Sequence, residues 1–265
     1  MDINGIIIAV AIIGGIGLFI GIFLSFSAKA FAVEVDEKET AILEALPGNN
    51  CGGCGYPGCS GLAAAIAKGE ASVAGCPVGG KPVADVIAEI MGVEAGEIVR
   101  RTAYVKCKGT CDKTSEDYEY YGINECRMAV MAPGKGAKTC NYGCLGLGSC
   151  AKVCEYGAIS ILNGVAVVDK DKCAGCGKCE TACPLHVIEM VPYDNIQRVG
   201  CSSKDKGPVV AKGCKAGCVG CGMCVKACPQ GAISVDNFLA HIDYAKCISC
   251  GACAEKCPKK IIEMQ

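Results

Sequence analysis

The sequence predicts a single N-terminal transmembrane helix followed by small α+β modules that are built around clustered cysteines. Three observations predict this architecture. The first is an uncharged stretch from Ile3 to Ala28, and the second is the content of 25 cysteines in 265 residues. The third is an internal duplication. The sequence offset that relates Cys140 to Cys214 relates eight pairs of cysteines in all, and the last pair is Cys183 and Cys257.

The apolar stretch from Ile3 to Phe26 is long enough to cross a membrane once. As an α-helix it would measure about 36 Å, against roughly 30 Å of hydrocarbon in a bilayer. A cleaved signal peptide is the alternative, because Ala28-Lys29-Ala30 resembles a cleavage site, but the stretch is long and has no basic start. Asp2 precedes it and Lys29 follows it, so the positive-inside tendency predicts a single-pass protein of the cell membrane whose soluble part faces the cytoplasm.

Composition favours metal sites over a large conventional core. The chain has 9 Tyr, 5 Phe and no Trp, and a net charge of −1 gives no basic face for nucleic acid. The odd number of cysteines, most of them two or three residues apart, argues against a secreted disulfide scaffold. Zinc remains an alternative metal, since paired C-x2-C motifs also form zinc ribbons. A c-type haem is excluded, because neither His186 nor His241 follows a C-x-x-C pair.

Three stretches share the pattern C-x2-C-G-x-C-x3-C-P. They are Cys173 to Pro184, Cys218 to Pro229 and Cys247 to Pro258. This spacing places three thiolates around one [4Fe–4S] cluster and sends the fourth cysteine to a second cluster. Because the chain contains three such runs, the sequence predicts electron transfer.

The duplication predicts two tandem bacterial ferredoxin-like units. The Gly-Ala-Ile-Ser segments at 157–160 and 231–234 lead into predicted strands, with hairpin partners at Val165 to Val168 and Ala240 to Asp243. The whole chain divides into six predicted segments: transmembrane anchor (1–29), four-Cys [4Fe–4S] module (30–93), Cys-containing connector (94–135), ferredoxin-like unit 1 (136–192), linker (193–213) and ferredoxin-like unit 2 (214–265).

The four-Cys module contains a self-contained site with the spacing C-x2-C-x4-C-x16-C. Its predicted ligands to one [4Fe–4S] cluster are Cys51, Cys54, Cys59 and Cys76, with zinc as the alternative metal. Helices are predicted around it from Asp36 to Leu46, where Asp36 and Glu39 fit a capping box, from Gly61 to Lys68, and from Val83 to Met91.

Ligands in the ferredoxin-like units follow from the rule that the fourth cysteine of each run binds the other cluster. Three sets are complete: Cys218, Cys221 and Cys224 with Cys257; Cys247, Cys250 and Cys253 with Cys228; Cys173, Cys176 and Cys179 with Cys154.

The remaining run of unit 1 lacks one ligand. Leu147 stands at the position that matches Cys221, which leaves Cys144 and Cys150 with Cys183 crossing over. We assign Cys140 as the replacement ligand, because it is the nearest spare thiol in the sequence. The alternative is a three-iron cluster held by the other three cysteines alone.

Five cysteines then remain, which predicts a sixth cluster beside the five already assigned. The hypothesis uses Cys107, Cys111 and Cys126, with Cys201 or Cys214 as the fourth ligand. The alternative is that some of these residues are free, buried thiols.

Two segments resemble a known family. They are Leu46-Pro-Gly-Asn-Asn-Cys51-Gly-Gly-Cys54-Gly-Tyr-Pro-Gly-Cys59 and Cys140-Asn-Tyr-Gly-Cys144-Leu-Gly-Leu-Gly-Ser-Cys150. Together with the N-terminal anchor and the tandem units, essentially the whole chain resembles the B subunit of the Rnf complex in its long form. That complex is a membrane ferredoxin:NAD⁺ oxidoreductase.

The resemblance implies an electron-transfer subunit of an ion-transporting translocase. It implies that reduced soluble ferredoxin is the electron donor, that other subunits of the membrane complex are the partners, and that NAD⁺ reduction is coupled to Na⁺ or H⁺ transport. The chain is expected to hold no complete active site, since its glycine-rich pieces accompany cysteines and no P-loop is present.

Two other functions remain open at this point. The first is an electron-transfer subunit of another membrane redox complex, such as a hydrogenase or a formate-linked enzyme. The second is a metal-storing or structural cysteine-rich membrane protein, which would bind zinc and be colourless.

Overall fold

The secondary structure consists of short elements after one long N-terminal helix. The structure, a computed structural model, describes residues 3–30, 36–96 and 99–264. Within these ranges the helices are α1 (Ile3–Ala30), α2 (Glu37–Ala45), α3 (Gly58–Ala67), α4 (Gly80–Met91), α5 (Cys126–Ala129), α6 (Ser149–Lys152), α7 (Lys178–Ala182), α8 (Gly207–Gly213), α9 (Met223–Ala227) and α10 (Ala252–Glu255). The strands are β1 (Arg101–Val105), β2 (Ile159–Leu162), β3 (Val165–Val168), β4 (Ile188–Pro192), β5 (Gln197–Val199), β6 (Ile233–Asp236), β7 (Leu239–Ile242) and β8 (Ile262–Met264).

Helix α1 covers the apolar N-terminal stretch. Its described side chains are those of Ile7 and residues 12–27, and residues 12–26 are exposed. Over the residues described, no helix has both the length and the apolar character needed to cross a membrane. The transmembrane anchor and its orientation therefore stay predictions.

The four-Cys module is a three-helix arrangement, and its predicted helices are confirmed. Helix α2 begins after Asp36, whose carboxylate accepts the N–H of Lys38 at 2.9 Å, as a helix N-cap should. The packed centre of the module consists of side chains that are at most 1 % exposed: Ile42, Leu62, Ile66 and Ile87. These side chains come from α2, α3 and α4, so the module has an apolar core of its own.

Each ferredoxin-like unit contains two antiparallel strand pairs. In unit 1 the hairpin β2–β3 and the pair β1–β4 form, and in unit 2 the equivalents are β6–β7 and β5–β8. The hairpin strands confirm the prediction from the Gly-Ala-Ile-Ser segments. The β2–β3 turn is Asn163-Gly164, with φ of 47° and 74°, the residue pair that a two-residue hairpin turn with positive φ favours.

The outer strands β1 and β5 come from the predicted connector and the predicted linker. Val105 pairs with Ile188, and Val199 pairs with Ile262, which is the equivalent of Ile188 in the duplication. The next residues are also equivalent, since Lys106 N–H donates to Val187 O and Gly200 N–H donates to Ile261 O, both at 2.7 Å. Unit 1 therefore begins at β1 and carries an insertion between this strand and its first cysteine run.

The two units contact each other through this insertion and the outer strands. Tyr104 OH donates to Glu263 Oε2 at 3.2 Å, and Lys108 forms an ion pair with Glu263. Thr114 Oγ1 in the insertion donates to Gly213 O of unit 2 at 3.0 Å. Cys107 of the insertion consequently lies between the units, in a cavity that it shares with Cys201 and Cys214.

Candidate iron–sulfur cluster sites

Unit 2 brings together both of its predicted ligand sets. Cys218, Cys221, Cys224 and Cys257 line one cavity, with an internal volume of about 20 Å³. Cys228, Cys247, Cys250 and Cys253 line a second, of about 10 Å³. Val235, Ala240 and Ile261 contribute apolar wall to the first cavity, and Ile233 and Ile248 contribute it to the second.

Helices α9 and α10 position the third cysteine of each run in unit 2. Each helix begins directly after a glycine in the left-handed region, Gly222 at φ 70° and Gly251 at φ 80°. This conformation turns the chain so that Cys224 and Cys253 lie in the first helical turn, and a side chain at either glycine would strain it. The glycine within C-x2-C-G-x-C is thus a backbone requirement of the motif.

Backbone N–H groups face the sulfurs at equivalent positions of the two units. Ala232 N–H donates to Cys228 Sγ at 3.3 Å, and Ala158 N–H donates to Cys154 Sγ at 3.4 Å. Ala103 N–H of β1 donates to Cys173 Sγ at 3.4 Å. Such hydrogen bonds stabilise thiolates and are among the factors that set the potential of an iron–sulfur cluster.

The second run of unit 1 also gathers its predicted set. The pKa of Cys179 is raised to about 12, first by burial and then by the thiolates of Cys173 and Cys176. The pKa of Cys176 is raised first by burial, and Cys173 and Cys154 contribute. The four thiols lie so close together that each thiolate makes ionisation of the others less favourable. Binding of a metal, whose ligands must be thiolates, offsets this cost.

The incomplete run of unit 1 gathers a different fourth cysteine from the predicted one. Its cavity, of about 20 Å³, is lined by Cys126, Cys144, Cys150 and Cys183. The pKa of Cys150 is raised to about 12, first by burial and then by the thiolates of Cys144, Cys126 and Cys183. The structure does not place Cys140 in this cavity, so Cys126 occupies the place that was assigned to Cys140.

Helix α5 delivers Cys126 to this cavity. Cys126 N–H donates to Ser149 Oγ at 2.9 Å, and Glu125 forms an ion pair with Lys152 at 3.0 Å. Both partners belong to α6, the helix that carries Cys150. Two contacts between α5 and α6 therefore hold the insertion against the run that lacks a ligand.

The four-Cys module has Cys76 in its apolar core and contacts unit 1 at Gly53. Burial raises the pKa of Cys76, whose Sγ accepts Gly79 N–H at 3.3 Å, and the thiolates of Cys51 and Cys59 raise it further. Cys54 packs against the same core. A Cβ at Gly53 would lie 2.5 Å from Cys176 O, so only glycine allows this close approach between the module and unit 1.

The remaining thiols do not form the predicted sixth set. Cys107, Cys140, Cys201 and Cys214 line one cavity between the units. Cys111 is exposed and is not among the residues that line this cavity. The predicted combination of Cys107, Cys111 and Cys126 is thus not brought together.

The residues at these sites fit cubane clusters in their chemistry. The cavities described above each offer four cysteines and apolar wall residues, and backbone N–H groups are directed at the sulfurs of Cys154, Cys173 and Cys228. Among the residues described, no three or more His, Cys, Asp or Glu side chains are arranged to hold a single metal ion. A single ion requires sulfurs at about 2.3 Å from one point, whereas in a [4Fe–4S] cluster four thiolates hold four irons.

Four protein-family models match the chain, and all describe iron–sulfur domains. A model described as a putative Fe-S cluster matches residues 46–78. Two models described as 4Fe-4S dicluster domains match residues 172–233 and 217–261. A model of the LdpA Fe-S cluster-binding domain matches residues 147–194. These matches support several [4Fe–4S] sites along the chain.

Full-length relatives decide the family. The B subunit of the Na⁺-translocating ferredoxin:NAD⁺ oxidoreductase complex of Acetobacterium woodii is 47 % identical over 92 % of this chain and 73 % of its own length. The B subunit of the ion-translocating oxidoreductase complex of Methanosarcina acetivorans is 41 % identical over 97 % of both chains. The B subunit of the proton-translocating ferredoxin:NAD⁺ oxidoreductase complex of Clostridium ljungdahlii is 41 % identical over 91 % of this chain and 85 % of its own length.

The chain belongs to this family of B subunits. The resemblance stated from the sequence is thereby confirmed. The four family models of iron–sulfur domains cover most ligand sets of this B subunit, but five cysteines lie outside all four matched ranges: Cys107, Cys111, Cys126, Cys140 and Cys144. The structure therefore adds most to the motifs in assigning the cysteines of the insertion and of the first cysteine run in unit 1.

Proposed function

We propose that this chain transfers electrons from reduced ferredoxin into an ion-translocating complex that reduces NAD⁺. The observation that carries the proposal is the gathering of cysteines into groups of four, in a chain that belongs to this family of B subunits. When bound, iron–sulfur clusters supply one-electron redox chemistry without proton transfer. The protein contributes thiolate ligands, N–H donors and apolar walls.

Five ligand sets are proposed for [4Fe–4S] clusters. Four of them are the sets that the motifs predict, and the fifth takes Cys126 in place of Cys140. The sets are Cys51, Cys54, Cys59, Cys76; Cys126, Cys144, Cys150, Cys183; Cys154, Cys173, Cys176, Cys179; Cys218, Cys221, Cys224, Cys257; and Cys228, Cys247, Cys250, Cys253.

Neighbouring sets adjoin one another, as an electron relay requires. Between the module and unit 1, the thiolate of Cys51 is among the influences that raise the pKa of Cys176, after burial. Within unit 1, the thiolate of Cys150 is among the influences that raise the pKa of Cys179, after burial and the thiolates of Cys173 and Cys176. Within unit 2, Cys224 and Cys253 belong to one core.

The entry point is proposed to be unit 2. Cys221 and Cys250 are exposed ligands there, whereas the described cysteines of the four-Cys module are half-buried or buried. A ligand at the surface lets a soluble donor approach its cluster closely. The module, which follows the N-terminal helix in the chain, would then be the exit.

Substitution of one ligand in unit 2 and one in the module tests this direction. Cys218→Ala is expected to abolish the fast reduction of the full chain by reduced ferredoxin, while Cys51→Ala leaves it intact. The measurement is the loss of visible absorbance in anaerobic stopped-flow mixing. Each substitution disturbs one ligand set, so the two variants are matched controls for loss of iron. The opposite pattern would reverse the direction, and no reduction of the unaltered chain would contradict the proposed function.

The N-terminal helix is proposed to anchor the chain in the membrane with the soluble part facing the cytoplasm. Exposed side chains in α1 support the anchor, including Phe19 at 71 % and Phe26 at 73 % exposure, since lipid would cover them, and Lys29 after the apolar stretch supports the orientation. Deletion of residues 1–30 is expected to move the chain, expressed without other subunits, from the carbonate-washed membrane fraction to the supernatant. Retention of the truncated chain in the membrane would contradict the anchor.

A further inference from the structure

We propose that Cys107, Cys140, Cys201 and Cys214 hold a sixth [4Fe–4S] cluster, in the cavity between the two ferredoxin-like units. The proposal rests on the proposed iron–sulfur function of this chain. It assigns four thiols that the sequence motifs leave without a role, and it differs from the hypothesis based on Cys107, Cys111 and Cys126.

Three of the four sulfurs are placed beside one space by two glycines, and Cys201 lines the same cavity. The position that a Cβ would take at Gly109 lies 3.5 Å from Cys214 Sγ and 3.6 Å from Cys107 Sγ. The corresponding position at Gly143 lies 3.6 Å from both Cys107 Sγ and Cys140 Sγ. A side chain at either glycine would occupy space beside the sulfurs. The cavity has an internal volume of about 50 Å³, more than the cavities at the two ligand sets of unit 2.

The internal duplication relates the four cysteines as two pairs. Cys214 is the equivalent of Cys140, at the same offset that relates the cysteine runs of the two units. Cys107 and Cys201 each stand two residues after the paired residues Val105 and Val199, so they are equivalent in the strand pairs β1–β4 and β5–β8. Each unit thus contributes the same two thiols, and the site is complete only where both units meet.

Backbone N–H groups face three of the four sulfurs. Cys218 N–H donates to Cys201 Sγ at 3.3 Å. The N–H groups of Tyr142 and Ala216 are hydrogen-bond donors to Cys140 and Cys214. The same kind of N–H to sulfur contact occurs at the sites whose motifs predict clusters, and it favours bound thiolates over neutral, free thiols.

A buried positive charge stands beside the cavity. Lys138 lines it and is 5 % exposed, and its ammonium group donates to Gly109 O at 2.9 Å and to Gly164 O at 2.7 Å. Of the ion pairs formed within the described ranges, none involves Lys138. Burial of an ammonium group without a counter-charge is unfavourable. A cluster with four thiolate ligands is an anion, and would supply that counter-charge.

The site lies between the ligand sets of the two units. On one side, Cys201 accepts the N–H of Cys218, a ligand of unit 2. On the other side, Cys107 belongs to the same buried core of unit 1 as Cys144. The cavity therefore fills the gap between the sets of unit 1 and unit 2, so that all six sets adjoin in one series.

The metal content of the full chain, purified anaerobically in detergent, tests the proposal. Six clusters predict about 24 irons and an equal amount of acid-labile sulfide per chain, and five predict about 20. Cys201→Ser is expected to lower the iron content by one to about four atoms and to alter the EPR spectrum of the reduced protein. Cys111→Ser, which removes the exposed thiol outside the cavity, is the matched control and is expected to change neither.

About 20 irons in the unaltered chain, with or without one zinc, would overturn the proposal, as would unchanged iron in Cys201→Ser. If Cys201→Ser fails to fold, the metal content of the unaltered chain and of Cys111→Ser still decides. The outcomes also separate this proposal from the proposed function. Reduction by ferredoxin with about 20 irons contradicts the sixth site alone. A chain with about 24 irons that ferredoxin does not reduce contradicts the proposed function alone.

Discussion

Replacement of Cys126 with serine is expected to convert one four-iron cluster into a three-iron cluster. Cys126 is the fourth thiol of the cavity that contains Cys144, Cys150 and Cys183, and the run itself has Leu147 where a ligand is needed. Removal of one of four thiolates leaves one iron without a protein sulfur, and that iron is the one most easily lost. The expected result is a loss of about one iron per chain and a three-iron EPR signal in the oxidised protein.

A second substitution provides the control for this prediction. The backbone around Leu147 matches that around Cys221, because Gly146 and Gly148 have φ of 75° and 77°, and the equivalent glycines of unit 2 have 67° and 70°. Leu147→Cys should therefore present a thiol in the usual position of the motif. The double variant Cys126→Ser with Leu147→Cys is expected to regain the four-iron cluster. Full iron content and no three-iron signal in Cys126→Ser would show that another residue is the ligand.

The sequence predicts the parts of this protein in which local spacing determines the structure. A run of the form C-x2-C-G-x-C-x3-C-P specifies a turn, a short helix and a fourth cysteine that reaches the other cluster. The two ligand sets of unit 2 form as these runs predict. The helices of the four-Cys module follow from Asp36 as N-cap and from the apolar spacing of Ile42 and its neighbours. These features depend on contacts between residues close in the sequence.

The role of Cys126 could not be obtained in this way. Sequence distance favoured Cys140, which lies only one C-x3-C spacing before Cys144, over Cys126, which lies much further upstream. The choice depends on the contact between α5 and α6, made by Cys126 with Ser149 and by Glu125 with Lys152. No pattern in the sequence specifies that a four-residue helix docks at this place.

The sequence contains a sign that Cys107 and Cys201 are equivalent, but the constant offset between the cysteine runs does not reveal it. The insertion lengthens unit 1 between β1 and Cys140, so Cys107 and Cys201 are further apart in the sequence than Cys140 and Cys214. The equivalence emerges only when β1 and β5 are matched by their partners β4 and β8. A comparison of Val105-Lys106-Cys107 with Val199-Gly200-Cys201 could have suggested it, but three residues carry little weight without the strands.

Removal of iron is expected to unfold both ferredoxin-like units. Cysteines make up 4 of the 11 buried residues in the core of unit 1 and 4 of the 10 in the core of unit 2. The strands form only two-stranded sheets, which are marginally stable in water by themselves. A structural metal site can contribute about 10 kcal/mol or more, comparable with the whole stability of a small domain. Chelation of iron under reducing conditions should therefore abolish cooperative unfolding of these units, and added iron and sulfide should restore it.

The four-Cys module is expected to respond less than the units, which makes it an internal control. Only one of the seven buried residues in its core is a cysteine, Cys76, and the others are side chains such as Leu62 and Ile87 from three helices. Amide hydrogen exchange can follow both parts in one sample. After iron removal, the amide of Val191 in β4 should lose its protection, while that of Ile87 in α4 keeps a larger share. Equal loss at both positions would show that the module depends on its cluster as strongly as the units do, and unchanged protection at Val191 would show that the units fold without iron.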